Sequence, residues 1–282
     1  MKSLSPLRIG IAQLCSRAEP KDNLEQIRLC LETLSKQQAD LSVFPEYCFC
    51  LGSFERMLRH AASPGHWQEL LGKLCCSYQS AAVFGGVTII ENGHYYDSSL
   101  AFSASGELLA RYDKRHLFSW NDKTEKRLQE GEVFTPGNTS PTLFRLHGWK
   151  IALTICFDLR FPSFWQSATP HPDLFLCTAA FTHKTGQAHW QTLLQARAIE
   201  NLSFVTGIGQ GGSNPETGLE LHGHSILFDP WGEITGSLPH RQPDNLCLSL
   251  DKQLLKDCRE RLPGCAFTSA AKTQDLDLLC RR

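Results

Sequence analysis

No stretch of the 282-residue chain approaches the roughly 18 consecutive apolar residues that a membrane helix needs, so the sequence points away from a membrane protein. The opening segment, Met1-Lys2-Ser3-Leu4-Ser5-Pro6, runs into Leu7–Leu14 with Arg8 inside it. It lacks the clean apolar core and small-residue cleavage site of a signal peptide. An excess of one charge is also lacking. Lys plus Arg is 28 against 29 for Asp plus Glu, a net charge of −1, so binding nucleic acid would require a local basic patch. The longest basic run, at Asp113-Lys114-Arg115-His116, is too short to supply one. No repeat, charge run or Pro/Ser-rich linker divides the chain. Cysteine alone is abundant, at 12 residues, but no C-x₂-C pair occurs and the spacings do not suit zinc. In a long chain without an export signal, that content fits reduced thiols in the cytoplasm, most of them small buried hydrophobes.

What is present is an ordinary globular composition, 41% hydrophobic and 20% charged, which excludes disordered and fibrous classes. Short apolar runs at Leu7–Leu14, Leu41–Phe44, Ala82–Ile90, Ile151–Cys156, Asp173–Ala180 and Ser203–Ile208 read as buried strands. Helical patterns lie between them. Asp22 is a candidate cap, with Glu25 three positions on, ahead of Leu24, Ile27, Leu31 and Leu34. A second helix follows Ser63-Pro64, where Trp67, Leu70, Leu71 and Leu74 share a face, and a third runs from about Gln187 to Asn201. Turn signals at Glu91-Asn92-Gly93, Ala104-Ser105-Gly106 and Asp229-Pro230-Trp231-Gly232 mark hairpins. The expectation is an α/β chain: a mixed sheet covered by helices, in one domain over 1–282.

Three segments are candidates for chemistry. Leu41-Ser42-Val43-Phe44-Pro45-Glu46 is a buried strand ending in a carboxylate, because proline cannot continue a central strand. Partial desolvation there would raise the Glu46 pKa toward a general base; the plain alternative is a solvated loop acid. Ile151-Ala152-Leu153-Thr154-Ile155-Cys156 ends in a thiol at a strand-to-helix turn. Amides of the next helix would lower its pKa and supply oxyanion donors; the alternative is a core thiol. Arg111-Tyr112-Asp113-Lys114 ends a hairpin strand in a cation, which is either a solvated lysine or, if buried beside the other two groups, an oxyanion stabiliser.

Taken together and in this order, the Phe44-Pro45-Glu46, Tyr112-Asp113-Lys114-Arg115-His116-Leu117-Phe118 and Ile155-Cys156-Phe157-Asp158-Leu159-Arg160-Phe161-Pro162 segments resemble the nitrilase, or carbon–nitrogen hydrolase, superfamily. Ala188-His189-Trp190, Leu193–Asn201, Gly223-His224-Ser225 and Asp229-Pro230-Trp231-Gly232 extend the resemblance, which runs from about Leu7 to Pro263. It implies an α-β-β-α sandwich, a homodimer, and Cys156 as nucleophile. It further implies Glu46 as general base and later acid, and Lys114 with the Phe157 backbone N–H as oxyanion stabilisers. A second glutamate precedes a Pro-Gly in the family; spacing to Pro136-Gly137 favours Glu130, with Glu132 as the alternative. The implied chemistry is acyl transfer through a thioester, with no cofactor and no metal.

Cys156-Phe157-Asp158-Leu159-Arg160 resembles the Cys-Tyr-Asp-x-Arg of Nit-type amidases. That group includes omega-amidases, which act on 2-oxoglutaramate and 2-oxosuccinamate, and deaminated glutathione amidases. Both substrate types carry a carboxylate, for which Arg160 is the candidate partner; a structural ion pair with Asp158 or Glu200 is the alternative. Phe157, Phe181 and Thr182 are candidate pocket residues. His222-x-His224 lacks a third ligand for a metal, and His189 reads as a packed core histidine. Pro170 and Pro172 shorten the helix after the nucleophile, at a border of the dimer in the family. An N-carbamoyl hydrolase and a catalytically silent binding protein on the same fold are the competing readings.

Overall fold

The short apolar runs and amphipathic helices assemble into two six-stranded sheets packed face to face. The computed structural model describes residues 5–121, 128–239 and 241–263. Of the expected 1–282 domain, 1–4, 122–127, 240 and 264–282, with Cys265 and Cys280, lie outside the described residues.

The first sheet holds β1 (Leu7–Gln13), β2 (Leu41–Phe44), β3 (Ala81–Glu91), β4 (His94–Phe102) and β5 (Leu108–Asp113). The second holds β6 (Thr142–Leu146), β7 (Trp149–Ile155), β8 (Leu174–Ala179), β9 (Phe204–Gly209), β10 (Ile226–Phe228) and β11 (Ile234–Ser237). Strand β12 (Asp244–Leu250) returns to the first, giving the orders β12-β1-β2-β3-β4-β5 and β11-β10-β9-β8-β7-β6. Each sheet has a parallel centre. Ile11 pairs with Val43 and Phe44 with Phe84 in one; Ile155 pairs with Thr178 and Cys177 with Gly207 in the other. Antiparallel strands close the edges; tight hairpins join β3 to β4, β4 to β5 and β6 to β7, whereas β12 returns from the far end of the chain to pair with β1.

Parallel strands buried on both faces read as continuous apolar runs, as here. The inner faces bring Ile9, Ile11, Val43 and Val83 against Leu153, Ile155 and Leu176 in one cluster. Outside the first sheet, α1 (Pro20–Lys36) and α3 (Pro64–Tyr78) lay Ile27, Leu31, Trp67 and Leu71 over Phe44, Phe84 and Phe102. After the short α2 (Phe54–Arg59) and α4 (Pro162–Gln166), α5 (His183–Asn201) covers the second sheet with Trp190, Leu194 and Ala198. The chain ends its described part in α6 (Lys252–Arg261). The layers are α-β-β-α, as the resemblance implied, with two sheets where the apolar runs alone suggested one.

Two helix starts differ from expectation. Helix α1 begins at Pro20, with Glu19 in the cap position, because proline pre-sets the helical φ at N1; Asp22 lies in the first turn, near the positive end of the helix. Helix α5 begins four residues before Gln187, because the Thr182 hydroxyl accepts the Thr185 N–H at 3.4 Å and caps it.

Candidate active site

Carboxyl ends of the parallel strands converge between the sheets, the usual position for a ligand crevice in α/β folds. Glu46 stands two residues beyond β2. Its turn leans on β3, where the pairing shifts between Phe84 and Val87. Gly86 has φ +62°, and a Cβ there would lie 2.1 Å from the Tyr47 nitrogen; one at Gly85 would lie 2.8 Å from the Pro45 carbonyl carbon. Only glycine permits that approach. Tyr47 itself has φ 58°, so the chain reverses at once and leaves Glu46 pointing inward.

Lys114 follows β5. Its backbone N–H donates to the Asp97 carbonyl at 2.8 Å, and its carbonyl accepts the Gly137 N–H at 2.9 Å, which fixes the residue between β4 and the Pro136-Gly137 turn. The side chain is fully buried, so the solvated alternative is excluded. Nζ lies 2.6 Å from Glu46 Oε1, 2.7 Å from Glu130 Oε2 and 3.3 Å from Asp97 Oδ2.

Glu130 begins a 3-10 turn (Glu130–Glu132) that buries Glu130 against Lys114 and leaves Glu132 exposed. Glu130 also accepts the Tyr47 hydroxyl at 2.9 Å and the Phe118 N–H at 2.7 Å. Glu46 accepts the Ala180 N–H, at the end of β8, at 2.6 Å. Glu46, Asp97 and Glu130 are, among the described residues, the one group of three carboxylates that brings an oxygen of each within 4.8 Å of the others, close enough to surround a cation. Lys114 already supplies it.

Cys156 follows β7 with φ 43°, a left-handed conformation that costs a non-glycine residue about 1–3 kcal/mol. The strain places the thiol on a sharp corner ahead of the 3-10 helix Cys156–Arg160. Asp158 locks that corner. Its carboxylate accepts the Tyr112 hydroxyl at 2.7 Å, the Ile155 N–H at 3.0 Å and the His116 N–H at 3.1 Å, and it faces His116 Nδ1 at 2.7 Å. His116 stacks on Phe161 with centroids 3.7 Å apart. The lysine segment and the cysteine corner are thus tied together.

Electrostatics divide the roles. Burial works against the Lys114 ammonium, but Glu130, Glu46 and Asp97 outweigh it and hold its pKa well above the usual lysine range. Burial raises Glu46 above the ordinary carboxyl range, and Lys114 only partly offsets this. Burial and the Glu46 charge push the Cys156 thiol well above its ordinary value. The expectation that helix amides would lower that pKa is therefore overturned: the local amides act on a thiol that tertiary packing has already desolvated beside a carboxylate. A thiol that stays protonated beside a carboxylate with a raised pKa is a donor–acceptor pair for proton transfer.

Toward solvent lie the other candidates. The Arg160 guanidinium, half-buried, lies 5.7 Å from the Phe157 ring centre and 5.5 Å from that of Phe181. Its described polar neighbour is His189 Nδ1, at 3.3 Å. Neither expected ion-pair partner holds it: Asp158 serves the cysteine corner, and Glu200 pairs with Arg197 at 2.8 Å. His189 is exposed rather than packed in the core, because α5 presents Trp190 inward instead. Phe181 is buried and packs on Trp190 with ring centres 5.0 Å apart, whereas Thr182 acts as the α5 cap. Sequence reasoning missed Tyr47 and Asp97. The available signal was Asp97 itself, an acid inside the strand that leads into Leu100–Phe102.

Residues 8–260 match the carbon–nitrogen hydrolase family. A deaminated glutathione amidase of Yersinia enterocolitica is 31% identical over 90% of this chain and 90% of its own. The omega-amidase NIT2 of Danio rerio is 28% identical over 92% of this chain and 94% of its own. A CN-hydrolase superfamily protein from Xanthomonas campestris, crystallised with an arsenic adduct in its active site, superposes with a TM-score of 0.82. It is 26% identical and covers 94% of this chain and 98% of its own.

Proposed function

We propose, from the premise that this chain belongs to the carbon–nitrogen hydrolase family, that it hydrolyses the primary carboxamide of a small, carboxylate-bearing linear amide and releases ammonia. The observation that carries this reading is the Lys114 ammonium, sealed between Glu46 and Glu130 on the first sheet and within electrostatic reach of Cys156 on the second.

In the first half-reaction Glu46 takes the Cys156 proton as sulfur attacks the amide carbonyl. The oxyanion that forms is held by the Lys114 ammonium and the Phe157 N–H, groups already in place before charge develops. Glu46 then passes its proton to the departing nitrogen, and ammonia leaves a thioester on Cys156. In the second half-reaction Glu46 deprotonates a water that attacks the thioester; the C–S bond breaks, the acid leaves, and Glu46 returns its proton to the Cys156 sulfur. Glu130, with the Tyr47 hydroxyl and Phe118 N–H on its oxygens, keeps Lys114 aimed throughout.

Arg160 between Phe157 and Phe181 supports a substrate whose far end is a carboxylate. 2-Oxoglutaramate and 2-oxosuccinamate are the lead substrates. The Yersinia enterocolitica relative favours deaminated glutathione as the second reading. Cytoplasmic thiol chemistry in a homodimer completes the proposal, with one domain carrying the whole site. The ten described cysteines are free, and Ile199, Trp231 and Ile234 are large apolar side chains left exposed, of the kind a dimer covers.

Ammonia release over these three amides and a neutral amide of similar length tests the assignment. Arg160→Gln is expected to raise KM for the carboxylate-bearing amide about 10- to 100-fold, the range for losing one charge-assisted contact, with little change for the neutral amide. An equal rise for both would make Arg160 structural. Carbon dioxide released with ammonia from an N-carbamoyl amino acid would favour the carbamoyl hydrolase. Binding without turnover of any of these would favour the silent protein.

A further inference from the structure

Asp97 is a third buried carboxyl in a site with one ammonium. It sits on β4 with its side chain wholly inaccessible, and neither of its carboxyl oxygens accepts a hydrogen bond from a donor. Lys114 Nζ is 3.3 Å away, within ion-pair range but outside hydrogen-bond alignment. The two glutamates are better supplied: Glu46 has Lys114 and the Ala180 N–H, and Glu130 has Lys114, the Tyr47 hydroxyl and the Phe118 N–H. Around Asp97, the turn after β2 brings Glu46, Tyr47 and Cys48, the end of β5 brings Lys114, and the 3-10 turn brings Glu130. Lys114 is the one cation among these groups. Three ionised carboxylates would leave two uncompensated negative charges away from water, a burial that proteins avoid by taking up a proton. The proton belongs on the carboxyl with the fewest donors.

We propose that Asp97 is a positioning residue that acts as a neutral acid: its O–H donates to the Glu46 carboxylate and holds Glu46 ionised, ready to take the Cys156 proton. The oxygens of the two groups lie within 4.8 Å of each other, and such a bond favours the charged form of Glu46. The inference rests on Glu46 being the base. Burial, with the Glu46 and Glu130 charges, raises Asp97 well above the ordinary carboxyl range, against the pull of Lys114. The folded chain therefore holds a proton that the unfolded chain releases above about pH 4, so this group's contribution to stability falls as pH rises from there to its folded pKa. Loss of that proton at alkaline pH removes the donor from Glu46 and places a new negative charge beside it.

Infrared difference spectroscopy of the substrate-free protein at pH 7, wild type against Asp97→Asn, reads the proton directly. A protonated-carboxyl C=O band that disappears in the variant is expected; no such band overturns the proposal. Because no substrate is present, that result stands apart from the amide assignment. The pH profile of kcat/KM supplies the second arm. Asp97→Leu, which has no donor, is expected to move the acid limb upward by about one pH unit or more. Asp97→Asn, whose amide N–H replaces the acid O–H, is expected to restore that limb and to shift the alkaline one. Equal loss of activity in both variants with unmoved limbs would assign Asp97 a purely structural part. If Asp97→Leu does not fold, the infrared band and the Asn profile still decide.

Discussion

Ammonia release falls by on the order of 10⁵-fold or more when Cys156 is replaced by alanine, while the protein stays folded. Both halves of that expectation come from the corner after β7. The left-handed φ of 43° is held by Asp158 through the Tyr112, Ile155 and His116 contacts, none of which involves the sulfur. Alanine accepts the same backbone, so the unfolding temperature should move by only a few degrees. Chemistry, by contrast, has no substitute for the sulfur. The other described thiols of the site region, Cys48 and Cys177, are buried with pKa values pushed above the ordinary thiol range, so neither is poised to replace it. What survives is the weak assistance of Lys114 and the Phe157 N–H to direct attack by water. Steady-state ammonia release together with thermal unfolding checks both halves. Substantial turnover by the folded variant would remove Cys156 from the mechanism.

Lys114→Met carries the second-largest effect, on activity and stability together. Methionine keeps most of the length and loses the charge. An oxyanion donor of this kind contributes on the order of 10²- to 10³-fold in kcat. The structural cost is larger than for an ordinary surface lysine, because Glu46, Glu130 and Asp97 then face one another without a cation. Breaking a buried ion pair in this way costs about 3–5 kcal/mol, or on the order of 10 °C in a chain of this size. Glu46 and Asp97, already raised above the ordinary carboxyl range with Lys114 pulling the other way, lose that pull and take up protons more readily in the folded state. The folded variant then binds more protons than the unfolded chain, so its stability falls as pH rises from about 4 toward neutrality. Thermal unfolding from pH 5 to 8 should show the gap from wild type widening with pH. A gap of equal size at every pH would mean that lost packing, not uncompensated charge, dominates.

How much of the site was legible follows from where each residue sits. Glu46, Cys156 and Lys114 each close an apolar or hairpin strand, and strand ends are visible in sequence because proline, charge and turn residues interrupt the hydrophobic run. The strands were legible for the same reason, but their division into two packed sheets came only from the family resemblance, because apolar runs do not say which strands share a sheet. Glu130 against Glu132 needed the 3-10 turn, whose geometry no periodicity encodes. The direction of the Cys156 pKa was misread because local amides are visible in a sequence and burial beside Glu46, 110 positions away, is not. His189 was misplaced for a related reason: on α5 the neighbouring Trp190 takes the inward face. Asp97 left a readable sign, an acid within a strand buried on both faces, where a charge without a partner is costly.

The claim that everything else depends on is the covalent thioester. Partition of the acyl group between water and hydroxylamine tests it, with a primary amide, its N-methyl amide and the methyl ester of the same acid as substrates. If all three pass through one thioester on Cys156, the ratio of hydroxamate to free acid is the same for each, whatever group has left. A ratio that changes with the leaving group would mean that water attacks the substrate directly, and would contradict the mechanism built on Cys156, Glu46 and Lys114.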